Sequence, residues 1–586
     1  MPDMPAPVRP QPLSDVRPIQ GPLPGAITPA DLDRMLHVWQ SRLTGGRSPS
    51  TVGLAFLDWA AHAANAPFQT AALGRSALVQ WQRLARAAMG GETVIAPQPS
   101  DDRFAHPGWR ERPYNLLTQA VLLGEEWWDS VVRSPGGVSG PNQRMVAFCM
   151  RQWLDVISPS NVPWLNPEVI EATRTSGGGN LARGLSNLMR DQSATHGGAV
   201  SNDFTIGKDL AATPGKVVFR NALIELIQYA PMTATVGAQP VLIVPAWIMK
   251  YYILDLSAHN SLIGWLVAQG RTVFAISWRN PGSDMHDTSL DDYRTQGVMA
   301  AIDAVQAICG DAKIHATGYC LGGTLLTIAA AAMARDNDHR LATLSFFAAQ
   351  TDFTEAGELQ LFITEDQLDF LNDTMQTQGF LSSAQMGGTF QMLRSNDLVW
   401  SHAIRDYLLG ERDTPNDLMA WNADGTRLPA RMHIEYLRGL YLDNDLAEGR
   451  FVVTGRPLGL DDIKLPMFVV GAERDHIAPW HSVFKLHHQN DGELTFVLTS
   501  GGHNAGIISE PGHPHRHFRI RVRDAGGRTL GPDEWERDTP AEDGSWWLEW
   551  NAWLDRYSGG RVDPPPMGPP GFMPLCDAPG SYVLER

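Results

Sequence analysis

The feature that most constrains this chain is a cysteine enclosed by glycines, Gly318-Tyr319-Cys320-Leu321-Gly322. Residues 313–317 read as a short buried strand, and residues 321–335 read as a helix. In a sharp strand-to-helix turn the central residue adopts strained backbone angles, and small residues two positions away avoid a clash. The N-terminus of the following helix favours negative charge on a thiol placed there. The pattern therefore predicts a nucleophile elbow at Cys320.

Apolar runs typical of buried strands alternate with helical stretches on both sides of this turn. The predicted strands are residues 240–245, 272–278, 313–317, 341–348, 465–470 and 494–498. Strands that alternate with helices build a mainly parallel sheet covered by helices. Together with the elbow, this pattern predicts an α/β-hydrolase fold.

Composition and periodicity divide the chain into regions. Residues 1–27 are rich in proline and are predicted to form a disordered arm, and residues 28–215 a mostly helical N-terminal domain. The catalytic domain is predicted over 216–558, with a helical lid inserted at about 353–450, where the strand pattern is interrupted. Residues 559–586 are rich in proline and glycine and are predicted to be a loose tail.

Two partners for Cys320 follow the last predicted strands. In this fold the order along the chain is nucleophile, acid, histidine, each after a core strand. Asp475 follows strand 465–470, and His503 follows strand 494–498. Asp352, after the fourth strand, is an alternative acid, and His476 is an alternative base that lies on the loop of the acid. The sequence favours Asp475 and His503.

Acyl transfer also needs backbone donors for the oxyanion of the tetrahedral intermediate. One is predicted to be the N–H of Leu321, which follows the nucleophile. The other is predicted from the loop after the first core strand, where Trp247 and Ile248 remain equal candidates.

Other partners are constrained by charge and by cysteine usage. A formal net charge of −17 argues against nucleic acid as a general partner. The remaining cysteines, Cys149, Cys309 and Cys576, are scattered without a CxxC pair, which favours reduced thiols in a cytoplasm and no metal site. The histidines at 513, 515 and 517 are interpreted as a solvated loop rather than a metal site. No apolar stretch reaches the roughly 18 residues of a transmembrane helix.

Specific segments resemble those of the polyhydroxyalkanoate synthases. The resemblance extends over about residues 101–558 and rests on residues 102–110, 158–161, 165–168, 252–256, 276–281, 421–426, 436–438, 475–480 and 501–503. A full N-terminal domain is similar to the single-subunit, class I type. The chain departs from the family at Met249, where asparagine is common, at Asn504, where an aliphatic residue is common, and in a longer, more polar segment at 510–540. These departures bear on substrate preference.

The resemblance implies a function. Cys320, assisted by His503, is expected to take 3-hydroxyacyl groups from CoA thioesters, release CoA and hold a growing polyester as a thioester. Asp475, acting through His503 or directly, is expected to help deprotonate the 3-hydroxyl group that accepts the chain. No cofactor is expected besides the CoA thioester substrate. The family suggests a homodimer in the cytoplasm, at the surface of polymer granules. The alternatives are a thioesterase or polyester hydrolase on the same fold, which the cysteine disfavours, and an inactive granule-binding protein, which the complete triad disfavours.

Overall fold

The described part of the chain before residue 195 is built mainly from helices. The structure, a computed structural model, describes residues 28–90, 93–98, 101–194, 204–393, 399–412 and 414–586. The first helix begins as predicted, with a capping box between Thr28 and Asp31 and with Pro29 in its first turn. The arm predicted over 1–27 lies outside the described residues. These helices are α1 (Pro29–Thr44), α2 (Pro49–Ala64), α3 (Pro67–Gly90), α4 (Tyr114–Arg133), α5 (Gly140–Val156), α6 (Pro167–Thr175) and α7 (Gly179–Ala194).

Strands begin at residue 215, and most belong to one large sheet. The strands are β1 (Gly215–Arg220), β2 (Ile224–Tyr229), β3 (Val236–Gly237), β4 (Val241–Val244), β5 (Val273–Trp278), β6 (Ile314–Tyr319), β7 (Leu341–Phe347), β8 (Phe380–Leu381), β9 (Leu428–Pro429), β10 (Val452–Val453), β11 (Arg456–Pro457), β12 (Met467–Ala472), β13 (Leu494–Thr499), β14 (His517–Arg523), β15 (Ala541–Asp543), β16 (Arg561–Val562) and β17 (Cys576–Asp577).

The main sheet has 11 strands in the order β15-β14-β13-β12-β7-β6-β4-β5-β2-β1-β17. The six central strands are parallel to one another, and they are β13, β12, β7, β6, β4 and β5. The strands at both edges of the sheet are antiparallel to their neighbours. The parallel centre consists of the strands that the sequence predicted, so the predicted α/β-hydrolase architecture is confirmed. Because parallel strands end at the same edge of a sheet, the residues that follow β6, β12 and β13 come together there.

Helices pack against this sheet and connect its strands. In α19 (Trp546–Arg556) the rings of Trp546 and Trp553 lie 4.9 Å from Phe347 and 5.3 Å from Phe468, in edge-on and tilted arrangements, so aromatic contacts join this helix to β7 and β12. The helices are α8 (Leu262–Ala268), α9 (Leu290–Asp292), α10 (Ala300–Cys309), α11 (Leu321–Arg335), α12 (Glu365–Gln376), α13 (Ser383–Leu393), α14 (Asp417–Ala423), α15 (Ala430–Tyr436), α16 (Trp480–Phe484), α17 (Leu486–Gln489), α18 (Pro532–Asp538) and α19 (Trp546–Arg556).

The segment between β7 and β12 is the predicted helical lid. It contains α12 to α15, and π-helical turns at Ala403–Leu409 and Leu437–Leu442. Its outer side meets the N-terminal helices: His37 of α1 lies 2.7 Å from Asp373 of α12. Its inner side supplies part of the buried core, for example Leu440, which is fully buried. The insertion therefore lies between the N-terminal helices and the catalytic sheet.

The predicted loose tail over 559–586 is wrong. β17 pairs with β1, and the buried carboxylate of Glu225 accepts hydrogen bonds from the backbone N–H groups of Ser581 and Tyr582, at 2.9 and 3.0 Å. Proline and glycine limit regular secondary structure, but they do not prevent a chain from packing and hydrogen bonding along a sheet edge.

The sequence did not predict the antiparallel strands at the sheet edges. In β14 only some side chains are buried, so its run His517–Arg523 lacks the apolar character that marks a central strand. Among the described residues, no helix is long and apolar enough to cross a membrane.

Candidate active site

Cys320 lies at the turn between β6 and α11. Its backbone angles are φ 52° and ψ −129°, a conformation that residues other than glycine rarely adopt. Such backbone strain costs on the order of 1–3 kcal/mol and persists where the surroundings enforce it. The predicted nucleophile elbow is therefore present in its geometry.

The glycines around Cys320 are required by close backbone contacts. A Cβ atom on Gly318 would lie 2.3 Å from the Cα of Gly323, and one on Gly322 would lie 2.3 Å from the carbonyl oxygen of Val244. A Cβ on Gly323 would lie 2.4 Å from the Cβ of Ala349. All three distances are shorter than any van der Waals contact, so only glycine permits this approach of helix and strands.

The predicted partners of Cys320 lie beside it. His503 Nδ1 is 2.7 Å from a carboxylate oxygen of Asp475, and both residues are buried. The Cys320 thiol lies near enough to His503 to act on the pKa of its imidazole. The other carboxylate oxygen of Asp475 accepts hydrogen bonds from the N–H groups of Ile477 and Ala478, both at 2.9 Å. Loops after three different strands thus bring the three side chains into one row, with a hydrogen bond between His503 and Asp475.

The electrostatics of this row favour a charged imidazole. Burial lowers the pKa of His503, but the neighbouring Asp475 carboxylate and Cys320 sulfur outweigh burial and raise the pKa well above its ordinary value. A thiol and an imidazole arranged in this way can exchange a proton, which is what a nucleophilic cysteine requires.

The alternative residues lie elsewhere. The carboxylate of Asp352 accepts hydrogen bonds from Thr354 and faces the ammonium group of Lys485, 3.4 Å away. His476 is exposed. The structure brings Asp475, and not Asp352, to His503.

The other cysteines and the histidine run do not join this row. Cys149, Cys309 and Cys576 are free thiols on other elements. His513 and His517 each face a different carboxylate, Glu510 at 2.7 Å and Glu473 at 3.1 Å.

One group of described residues has metal-ligand character. The donor atoms of Asp191, His402 and Asp406 lie within 4.8 Å of one another, where α7 meets the lid. Arg412 forms an ion pair with Asp191 at 2.5 Å and lies 3.8 Å from Asp406. Its guanidinium group thus already supplies positive charge to these carboxylates.

Of the two candidates for the second oxyanion donor, only Ile248 lines the cavity beside Cys320 and Leu321. The ring of Trp247 instead packs against Tyr293 and Tyr436, with centroids 5.6 and 5.9 Å apart. The loop that carries both candidates abuts the elbow, since a Cβ on Gly322 would lie 2.5 Å from the Pro245 carbonyl oxygen. The geometry favours Ile248.

A small cavity of about 50 Å³ lies above the thiol, enough for a few water molecules. The side chains around it are mostly apolar and come from the core and the lid. They are Ile248, Cys320, Leu321, Thr324, Ala348, Gln350, Leu359, Ile363, Met386, Tyr436, Leu437, Tyr441, Ile477 and Ala478. A small apolar cavity over a nucleophile suits an acyl group and limits the access of bulk water.

Three further polar residues at the site, Tyr319, Asn504 and Gln350, were given no role there from the sequence. The Tyr319 hydroxyl donates to the side-chain oxygen of Asn504 at 2.6 Å, and the Tyr319 ring lies 5.6 Å from the His503 ring. Gln350 is buried and lines the cavity, and its amide nitrogen has no hydrogen-bond partner among the described residues. Both Tyr319 and Asn504 adjoin a triad residue in the sequence, which was the available signal.

Three family models match this chain. Residues 27–69 match the family model "Poly-beta-hydroxybutyrate polymerase N terminal", residues 100–266 match "Poly-beta-hydroxybutyrate polymerase (PhaC) N-terminus", and residues 239–509 match "alpha/beta hydrolase fold". These models together extend over the helical part and the catalytic sheet.

Curated relatives are similar over most of their length. A poly(3-hydroxyalkanoate) polymerase of Methylorubrum extorquens is 40% identical over 524 residues, which is 88% of this chain and 86% of that protein. A poly(3-hydroxyalkanoate) polymerase subunit PhaC of Rhizobium meliloti is 36% identical, over 88% of this chain and 85% of that protein. The corresponding subunit of Cupriavidus necator is 34% identical, over 96% of both chains.

Proposed function

The chain belongs to the poly(3-hydroxyalkanoate) polymerase family, and we propose that it builds the polyester on Cys320 from 3-hydroxyacyl-CoA with release of CoA. The observation that carries this assignment is the buried row of Cys320, His503 and Asp475 at a nucleophile elbow, under a small apolar cavity. A thiol suits repeated transfer, because exchange between thioesters is nearly balanced in energy, whereas a serine ester would be more stable and slower to pass the chain on.

In the first half of the cycle His503 takes the proton of Cys320, and the thiolate attacks the thioester carbonyl carbon. The N–H groups of Leu321 and Ile248 stabilise the oxyanion of the tetrahedral intermediate. The bond between carbonyl carbon and CoA sulfur then breaks, and His503 returns the proton to the leaving thiolate. The acyl group remains on Cys320 as a thioester.

In the second half the 3-hydroxyl group of another 3-hydroxyacyl-CoA gives its proton to His503 and attacks the thioester on Cys320. The chain passes to that hydroxyl as an ester, and Cys320 leaves as a thiolate that recovers the proton. The lengthened acyl-CoA then acylates Cys320 again. Because both oxygens of Asp475 are already hydrogen-bonded, one to His503, we place Asp475 behind the base rather than at the hydroxyl.

The lid gives this chemistry its selectivity against water. The cavity of about 50 Å³ has no room for a whole acyl-CoA, so substrate entry requires the lid to move. Closure afterwards excludes water from the thioester and favours transfer to a hydroxyl group over hydrolysis.

The assay uses purified protein with 3-hydroxybutyryl-CoA and follows free CoA and polymer turbidity together. Polymerisation gives CoA and turbidity in parallel, whereas a hydrolase would give CoA with free hydroxy acid. No release of CoA from any 3-hydroxyacyl-CoA, with or without a primer, would contradict the enzymatic assignment. Since nucleophile, base and oxyanion donors are all supplied by the chain, we expect full activity after treatment with EDTA.

We further propose that the protein acts in the cytoplasm, as a dimer at the surface of polymer granules. Large apolar side chains on the N-terminal helices support contact with an apolar phase: Trp39, Phe68 and Trp81 are 59, 89 and 70% exposed. Co-sedimentation with granules tests the contact, and light scattering of the soluble protein tests the dimer. A monomer under all assay conditions would contradict the dimer.

A further inference from the structure

The loop after β4, residues 245–250, is held by side chains from other parts of the chain. Each of three loop carbonyls accepts a side-chain hydrogen bond of 2.8 Å, and the pairs are Trp278 Nε1 with Pro245, Thr426 Oγ1 with Trp247, and Trp421 Nε1 with Lys250. Two of the three donors, Thr426 and Trp421, belong to the lid insertion. A loop whose carbonyls are fixed in this way has little freedom to rotate its peptide planes.

The bond from Thr426 has a direct geometric consequence for the oxyanion donor. The carbonyl of Trp247 and the N–H of Ile248 belong to the same peptide unit. In a planar trans peptide these two groups point in opposite directions. By holding the carbonyl on one side, the Thr426 hydroxyl turns the Ile248 N–H to the other side. Ile248 is the loop residue that lines the cavity of Cys320.

The segment that carries Thr426 is itself anchored to the catalytic domain. The carboxylate of Asp424 accepts a hydrogen bond of 2.8 Å from the Tyr252 hydroxyl, and Gly425 forms an isolated antiparallel bridge with Met249. The Arg427 N–H donates to Asn280 at 2.9 Å. Thr426 is 4% exposed, so water does not compete strongly for its hydroxyl. Segment 424–427 is therefore a fixed point against which the loop is aligned.

We propose that Thr426 is a positioning residue that sets the oxyanion hole through the Trp247 carbonyl, so that the hole is complete only while segment 424–427 of the lid is seated. This inference rests on the proposed acyl-transfer function. It links lid closure to catalysis: an enzyme with its lid displaced would retain its thiol but would stabilise the tetrahedral intermediate poorly. Acylation would then be slow whenever the site is open to water.

The test compares two reactions of Cys320 in a Thr426→Val variant, which keeps the side-chain shape and loses the hydroxyl. Acylation by 3-hydroxybutyryl-CoA, measured as the CoA burst in a single turnover, passes through an oxyanion and is expected to slow by about 10- to 100-fold. Alkylation by iodoacetamide passes through no oxyanion and is expected to stay within about twofold of the wild-type rate. Thr426→Ser keeps the hydroxyl and is expected to restore acylation.

Thr374→Val is the matched control. Thr374 is also 4% exposed, also lies in the lid, and also donates its hydroxyl to a backbone carbonyl, that of Phe370 at 2.9 Å. This variant is expected to acylate at the wild-type rate. If Thr426→Val does not fold, Tyr252→Phe carries the test, because it removes the anchor of Asp424 and should slow acylation in the same selective way.

Two outcomes would overturn the inference. One is an acylation rate equal to that of the wild type in the variant tested, either Thr426→Val or its substitute Tyr252→Phe. The other is an equal loss of acylation and alkylation in that variant, which would indicate a general disturbance of the site. Failure of the proposed function is distinguishable, because the wild-type protein itself would then release no CoA.

Discussion

His503 Nδ1 lies 2.7 Å from a carboxylate oxygen of Asp475, and the two side chains are 7 and 0% exposed. A carboxylate placed this way, out of water, fixes the orientation of the imidazole and favours its protonated form. The second carboxylate oxygen is held by two backbone N–H groups, so Asp475 is itself immobile. Asp475 therefore both orients the imidazole of His503 and makes it more basic.

Asp475→Asn is expected to lower the rate of CoA release by about 10²- to 10⁴-fold, because the amide no longer stabilises the imidazolium. The charge of Asp475 is one of the causes that raise the pKa of His503, so the limb of the pH–rate profile that reports His503 should move to lower pH. Stopped-flow measurement of CoA release between pH 5 and pH 9 checks both effects. Asp352→Asn is the control and should keep its activity; the reverse result would reassign the acid.

Cys320→Ser is expected to form an acyl-enzyme slowly and to make little polymer, because the oxygen ester is more stable than the thioester. Mass spectrometry of the protein after incubation with 3-hydroxybutyryl-CoA detects the trapped acyl group, and turbidity reports the polymer. Cys309→Ser, a change of the same kind in α10, should polymerise normally. A Cys320→Ala variant with full activity would contradict the site assignment.

Gly322→Ala is expected to destabilise the catalytic domain by about 3 kcal/mol, since the added methyl group would lie 2.3 Å from the carbonyl oxygen of Val244. Gly124→Ala in α4 adds the same methyl group where nothing lies within 4 Å and should stabilise by about 1 kcal/mol. Chemical denaturation followed by tryptophan fluorescence compares the two. Equal midpoints for both variants would show that the elbow tolerates a side chain.

Replacing Gln350, which lines the cavity, is expected to stabilise the free protein and to weaken substrate binding. Its buried amide nitrogen has no partner among the described residues, so Gln350→Met should stabilise the free protein by about 1 kcal/mol. If that nitrogen donates to an oxygen of the bound hydroxyacyl group, the same variant should raise KM by roughly 3- to 10-fold. Steady-state CoA release and thermal denaturation test the two halves separately. An unchanged KM would remove Gln350 from the substrate site.

Local patterns explain what the sequence could predict. The central strands were visible because strands buried on both faces are continuous apolar runs, and β4 is buried at every position. The triad followed from one topological rule, since loops after parallel strands share an edge. The hydrogen bond from Thr426 to Trp247 joins residues 179 positions apart. No local pattern encodes such a contact, and the same holds for the packing of 559–586.

His433 in α15 predicts acid sensitivity. It is 3% exposed, and burial lowers its pKa to about 3, whereas an exposed histidine titrates near 6.5. As the pH falls from 6.5 towards 3, the unfolded chain binds a proton at this position and the folded chain does not. The folded state therefore loses stability over that pH range. At pH 5 the loss is about 2 kcal/mol.

His433→Leu should abolish this contribution, so its stability should fall less than that of the wild type between pH 7.5 and pH 5. Urea denaturation at both pH values measures the loss of stability for each protein. His481→Leu, at an exposed position, is the control, and we expect it to lose as much stability as the wild type. Equal pH dependence of wild type and His433→Leu would show that His433 accepts its proton in the folded state.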